Sequence, residues 1–302
     1  KAKPVPVMCS YNRVNGPYAS EYKKGFDVLR GECGFDGAIF SDWDAVRDRT
    51  AAAKAGLDLE MPFDEKNYEK LVADYHAGKL SDEVLDACAE RVLRLVGRCK
   101  AMRKGKTVQN SEEDRRRAAR HIASEGMVLL KNEGVLPLAE GQSVCVCGSF
   151  AKATPYMASG GGSACVRWKE EKFDLAEALA ARGHAVDYEK AFLINAVGAW
   201  QNARTAALKA GRSDVNIVCV GTGADIEYED ADRQTLRLPA VQERAILDTA
   251  AQNPNTVVVL FAGSAVDVSA WIDQVKAVVY AGFTGEGGDE VIADILTGKV
   301  NP

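Results

Sequence analysis

Residues 34–46 read GFDGAIFSDWDAV. Two glycines open the stretch, the run GAIFS (37–41) is apolar, and the run stops on Asp42 followed by Trp43. A short apolar run bounded by turn residues reads as a strand covered on both faces, as in a parallel sheet. In open α/β sheets and barrels, functional side chains stand just past the carboxyl ends of such strands. Asp42 therefore has two readings. It caps a helix beginning near Asp44, where Asp is a favoured residue, or it is delivered to an active rim, with Trp43 beside it as a flat apolar surface of the kind that packs on a sugar ring.

Working outward, VMCSY (7–11) and LDLEM (57–61) read as further strands, and residues 21–32 and 44–55 as helices between them. Helices at about 66–77 and 81–103 follow, the second opened by Ser81 and carrying Val84, Leu85, Cys88, Val92, Leu93 and Val96 at helical spacing. Alternating strand and helix implies parallel strands with crossover helices. Three parallel strands can neither close a barrel nor cover both their edges, so residues 1–104 read as the tail end of something larger. Residues 105–126 read as linker and connecting helix, beginning in the polar KGKTVQNSE (104–112). Residues 127–302 read as a second α/β unit with an open, mostly parallel sheet: strands at 143–148, 185–188, 216–221, 256–261 and 277–282, helices at 174–182, 193–210, 239–252 and 287–297, and a short helix near 270. The fold class is α/β throughout.

Composition excludes several classes of function. The formal net charge is −5 with both signs interspersed, so no basic stripe marks nucleic acid and no polybasic run marks a membrane surface. No apolar run approaches the roughly 18 residues that span a bilayer, and residues 1–15 lack a signal-peptide pattern. The 8 cysteines are dispersed, and Cys9, Cys145, Cys147 and Cys219 sit in strand-like runs as small core residues of a reducing compartment. A cytoplasmic location is the expectation. Neither the Cys145/Cys147 pair nor His76, His121 and His184 has metal-ligand spacing, so no metal and no organic cofactor is called for.

The loop GTGADIEYEDADRQ (221–234) carries Asp225, Glu227, Glu229, Asp230 and Asp232 beside Arg233. It reads either as a solvated acidic loop or as a source of catalytic carboxylates; the central Gly and distal Glu of an EF-hand are missing. Two carboxylates on two domains suit glycoside hydrolysis, one as nucleophile and one as general acid and base. At this point the chain resembles glycoside hydrolase family 3, of the β-glucosidase type. The resemblance rests on VMCSYNRVNG (7–16), LRGECGFDGAIFSDWDAV (29–46), AGLDLEMP (55–62), ASEGMVLLKNEGVLPL (123–138), GGGS (160–163), IEYEDADRQTLRLP (226–239) and AGFTGEGGDEVIADILTGKVNP (281–302).

The resemblance implies that residues 1–104 are the C-terminal portion of a (β/α)8-type nucleophile barrel, that residues 127–302 are the α/β sandwich that follows it, and that Asp42 is the nucleophile. It implies that Glu229, in E-D-A-D-R where the family commonly has E-G-x-D-R, is the acid/base. Asp42 should stay ionised, while Glu229, in a drier spot near other acids, should have its pKa raised. Retention asks for carboxyl groups roughly 5–5.5 Å apart with sugar bound, which requires the two domains to close on each other. Met8 and Tyr11 match positions that line the sugar pocket, and Trp43 matches its wall. Ser163 either reaches the pocket or belongs to a tight glycine turn. Glu227 is the runner-up acid, expected on a strand-like stretch to point the same way as Glu229. Asp58 and Glu60 are either sugar ligands or packing and capping groups, and Asp232 and Arg233 are expected to pair.

The family's earlier barrel strands, with a Lys-His pair and the Asp and Arg that grip sugar hydroxyls, have no counterpart here. A second chain or a missing segment is therefore expected as a partner. The implied activity is that of a retaining exo-β-glycosidase acting on a small β-glucoside or oligosaccharide. A β-xylosidase and a non-catalytic carbohydrate-binding relic are the alternatives. N-acetylglucosaminidases of the family are disfavoured by the acidic loop, and nucleotide binding by the lack of G-x-G-x-x-G after a strand.

Overall fold

The structure is a computed structural model that describes residues 4–103, 110–152, 173–191, 200–223, 226, 227, 229 and 232–302. The chain divides into two compact units, one ending at Gln109 and the other beginning at Asn110.

The first unit runs β1 (Pro6–Cys9), α1 (Lys23–Asp27) extended by a π-turn over Val28–Glu32, β2 (Ala38–Trp43), α2 (Arg49–Ala55), β3 (Leu59–Met61), α3 (Glu65–His76) and α4 (Asp82–Arg103). The three strands are parallel in the order β1-β2-β3, with Met8 opposite Phe40 and Cys9 opposite Ser41. Gly37 makes the close entry of β2 feasible, because a Cβ there would lie 1.9 Å from the carbonyl oxygen of Val5. One face of the sheet packs Cys9 and Ile39 with Phe26, Val46, Ala52, Ala55 and Leu57 into a small core. Beneath it, Asp58 accepts from Arg30 Nη2 at 2.8 Å, Arg91 Nε at 2.6 Å and the Ile39 amide at 2.8 Å, tying α4, β2 and the turn before β3 together.

β1 ends at Cys9 rather than at residue 11 and β3 begins at Leu59 rather than at residue 57, and two further boundaries differ from the sequence reading for identifiable reasons. β2 continues through Asp42 and Trp43, since Met61 pairs with Trp43. The helix expected from residue 44 begins only at Arg49, because Asp44 adopts φ 58° and Asp48 supplies the cap, accepting from the Ala51 amide at 3.0 Å.

The second unit opens with α5 (Glu112–Gly126), started by a reciprocal capping box between Ser111 and Asp114. It continues with β4 (Val128–Asn132), β5 (Ser143–Cys147), α6 (Leu175–Ala180), β6 (Ala185–Glu189), α7 (Trp200–Ala210), β7 (Val215–Gly221), α8 (Ala240–Ala250), β8 (Thr256–Phe261), β9 (Ala277–Tyr280) and α9 (Gly288–Leu296). The sheet order is β4-β9-β8-β7-β5-β6. Every neighbouring pair is parallel except β4 with β9. β7 and β8 are buried along their whole length, as a sheet covered by helices on both faces requires. Asn216 in β7 is fully buried and donates to Thr256 Oγ1 at 3.1 Å, so its polar head is satisfied inside the core. The short helix near 270 is a single 3-10 turn, Ile272–Gln274.

Candidate active site

In the first unit the candidate residues collect where β1 to β3 end. Met8 stands opposite Phe40 on the face away from the core, and β2 becomes irregular between Phe40 and Trp43, the stretch that carries Asp42. Asp42 is half-buried, and its Oδ1 accepts from the Trp43 amide at 2.6 Å. Capping of α2 falls to Asp48, which removes the alternative reading of Asp42. Ser41 locks the rim: its Oγ accepts from the Met61 amide at 2.7 Å and donates to the Met61 carbonyl at 3.2 Å. The Asp44 amide reaches the same carbonyl at 3.0 Å. Trp43, Met8 and Tyr11 are 57%, 64% and 51% exposed, a large apolar outlay for solvent.

Asp58 is no sugar ligand. Its side chain is wholly buried and its oxygens are taken by Arg30, Arg91 and the Ile39 amide, so of the two readings the packing one holds. Glu60 is tied to α3, with Oε1 accepting from Asn67 Nδ2 at 2.6 Å; burial raises its pKa against the pull of Asn67 and Arg49. One aromatic pair on this rim escaped the sequence reading. Phe63, two residues beyond β3 and strongly exposed, lies against Tyr68 with ring centroids 5.7 Å apart. The signal was the bulky aromatic directly after Met61-Pro62.

In the second unit, Gly221 ends β7. A Cβ there would stand 2.0 Å from the carbonyl oxygen of Phe261, so only glycine brings β7 and β8 together at this point. Gln242 of α8 holds the position, donating to the Gly221 carbonyl at 2.9 Å and accepting from its amide at 2.8 Å. The chain then turns back: the amides of Ile226 and Glu227 both donate to the Gly223 carbonyl, at 2.9 and 3.0 Å.

That turn overturns the expected strand-like projection of Glu227 alongside Glu229. Glu227 is half-buried; Oε1 accepts from Ser264 Oγ at 2.6 Å, and Oε2 accepts from Thr222 Oγ1 and from the Gly263 amide at 3.3 Å. Burial pushes its pKa up, but the hydrogen bonds from Ser264, Thr222 and Gly263 and the Arg233 charge together hold it below the ordinary value. A carboxylate held ionised by three donors is a poor proton donor. Glu229, by contrast, is exposed within this chain rather than set in a drier spot.

The expected ion pair of Arg233 with Asp232 is replaced by other contacts. Arg233 donates to Ser264 Oγ at 2.9 Å and to the carbonyls of Ala265 and Leu236, both at 3.0 Å. Ser163, Asp225 and Asp230 lie outside the described residues. Among the described residues no group of three or more His, Cys, Asp and Glu is placed to hold a metal ion, and no helix is long and apolar enough to cross a membrane.

Comparison with known proteins bears on both units. The family model described as Glycosyl hydrolase family 3 N terminal domain matches residues 2–95, and that described as Glycosyl hydrolase family 3 C-terminal domain matches residues 127–302. Thermostable beta-glucosidase B of Acetivibrio thermocellus is 37% identical over 308 residues, a match covering 100% of this chain and 40% of that protein. An exo-alpha-(1->6)-L-arabinopyranosidase of Bifidobacterium longum is 33% identical over 314 residues, covering 100% of this chain and 41% of the relative. The crystal structure of the Bifidobacterium adolescentis GH3 beta-glucosidase superposes with a TM-score of 0.88 at 33% identity, covering 99% of this chain and 44% of that one. The chain thus spans about two fifths of the length of these three proteins, and its α/β architecture corresponds to part of their barrel and the sandwich that follows it.

Proposed function

Because the chain belongs to glycosyl hydrolase family 3, we propose that it carries the two catalytic carboxylates of a retaining exo-β-glycosidase that removes terminal β-D-glucosyl residues. In the first step an Asp42 oxygen attacks the anomeric carbon, the bond to the leaving oxygen breaks, and Glu229 gives that oxygen a proton. In the second step Glu229, now a carboxylate, takes a proton from water, and the water oxygen displaces Asp42 from the anomeric carbon. The proton count closes over the cycle, and no redox partner or metal enters it.

The observation that carries this reading is the placing of Asp42. It stands at the carboxyl end of a parallel strand, relieved of capping by Asp48 and bordered by the exposed Trp43. Exclusion of Glu227 as proton donor supports Glu229 as the acid/base, since Glu227 is committed to Thr222, Gly263 and Ser264. Met8, Tyr11 and Trp43 are proposed to face the sugar ring, whose C–H faces suit apolar and aromatic surfaces.

A 2-deoxy-2-fluoroglucosyl donor with a good leaving group tests the assignment, because the fluorine slows the second step and traps the covalent ester. Peptide mapping should find the glycosyl mass on the peptide spanning residues 34–46, and Asp42→Ala should abolish both the label and hydrolysis of p-nitrophenyl β-D-glucopyranoside. A label on any other carboxylate would overturn the assignment. The B. longum relative favours a second substrate. An α-L-arabinopyranoside presents the same equatorial glycosidic bond as a β-D-glycopyranoside but no hydroxymethyl arm. Comparing kcat/KM for the p-nitrophenyl β-D-glucoside, α-L-arabinopyranoside and β-D-xyloside decides between the sugars.

A further inference from the structure

We infer that Glu227 is a positioning residue: through Ser264 and Arg233 it clamps the chain on either side of Glu229 to the turn that follows β8. The inference rests on Glu229 being the acid/base.

The clamp is directional. Thr222, the first residue past β7, and Ser264 and Gly263, just past β8, all donate to the Glu227 carboxylate. The single hydroxyl proton of Ser264 goes to Glu227, so its oxygen lone pairs face Arg233 Nη1, which donates to it at 2.9 Å. The same guanidinium also holds the carbonyls of Ala265 and Leu236. Glu227 and Arg233 are thus joined through one serine hydroxyl, and Glu229 lies between them in sequence. Tyr280 of β9 backs the same turn, its hydroxyl donating to the Ala262 carbonyl at 2.6 Å. Gly263 leaves no room for a side chain there, since a Cβ would stand 2.5 Å from the Phe283 ring and 3.3 Å from Glu227 Oε1. A solvated acidic loop requires none of this. A half-buried carboxylate given three donors at the foot of a functional loop is an arrangement that fixes geometry.

An acid catalyst matters most when the leaving group is poor, so the test is the leaving-group dependence of Glu227→Gln in the active enzyme. Whichever way the amide turns, one of the two oxygen positions becomes N–H, facing either the Gly263 amide or the Ser264 hydroxyl, so the carboxylate's full set of donors cannot be kept although the size is unchanged. Hydrolysis of a methyl glucoside should slow on the order of tenfold more than that of a 2,4-dinitrophenyl glucoside, a fraction of the roughly 10²–10⁴-fold that a general acid contributes in full. In a Glu229→Ala background Glu227→Gln should add nothing. Ser264→Ala, which removes only the relay, should give a smaller loss of the same kind. Hydrogen exchange of the Gly263 amide and of residues 232–236 should rise in both variants while the strands β7 and β8 stay protected.

Equal slowing of both substrates, additive losses in the double variant, or unchanged exchange would each overturn the clamp. If Glu229→Ala alone shows no leaving-group dependence, the assignment of Glu229 fails instead. The exchange measurement then decides the clamp by itself, a rise sustaining it and no rise overturning it.

Discussion

Replacing Asp58 by alanine removes a carboxylate whose side chain is 0% exposed and leaves Arg30 and Arg91, 21% and 20% exposed, facing each other across the space. It also strips the Ile39 amide of its acceptor in a strand residue that is itself fully buried. Breaking a buried ion pair by deleting one partner costs about 3–5 kcal/mol, because the remaining charge stays desolvated. Burial already lowers the pKa of Arg30, against the attraction of Asp58, which marks it as desolvated even with its partner present. Both guanidiniums retain some access to water, so the lower end, about 3 kcal/mol, is expected. That is on the order of a hundredfold in an opening equilibrium. Hydrogen exchange of the β2 amides reads it directly, since Ile39 donates to the deleted group, and a urea titration followed on peptides from residues 4–103 gives the midpoint. A change in protection below about fivefold, corresponding to about 1 kcal/mol, would refute the structural role. Loss of sugar affinity without loss of stability would restore Asp58 as a ligand.

Gly221→Ala should destabilise the second unit by about 3 kcal/mol, the upper part of the overpacking range, because its Cβ would meet a backbone oxygen at 2.0 Å rather than a movable side chain; a urea midpoint matching wild type would contradict this. Asp48→Ala should cost about 1 kcal/mol, the worth of a helix cap, with faster exchange confined to α2; the exposed Lys70 contact adds little. The Glu227 carboxyl is held below its ordinary value of 4.5, so the clamp's stabilisation is fully present above that value and lost as pH falls through the lower folded pKa. The Gly263 amide resonance should titrate with a midpoint below 4.5, and a midpoint at or above that value would exclude the hydrogen bonds seen here.

What the amino-acid order determined by itself is local and periodic. Apolar runs such as NIVCVG and TVVVLF are strands in any compact arrangement, because so uniform a pattern is stable only when both faces are covered. The run from Ser81 to Arg103 is helical because its apolar residues recur at helical spacing, and the acidic loop after β7 stands out because five carboxylates within eight residues are rarely structural filler. Asp42 was legible for the same reason: a carboxylate ends an apolar strand. Tertiary structure decided which carboxylates are spent on the fold. Asp58 and Glu227 look no different from Asp42 and Glu229 in sequence, yet one is consumed by two arginines and an amide, and the other by Thr222, Gly263 and Ser264. Their donors lie up to 37 residues away in sequence. A hydrogen bond depends on which backbone amides and hydroxyls a crossover brings alongside, and no local periodicity encodes that. The same holds for the late start of α2, where a positive φ at Asp44 and the cap at Asp48 override a continuous helical pattern.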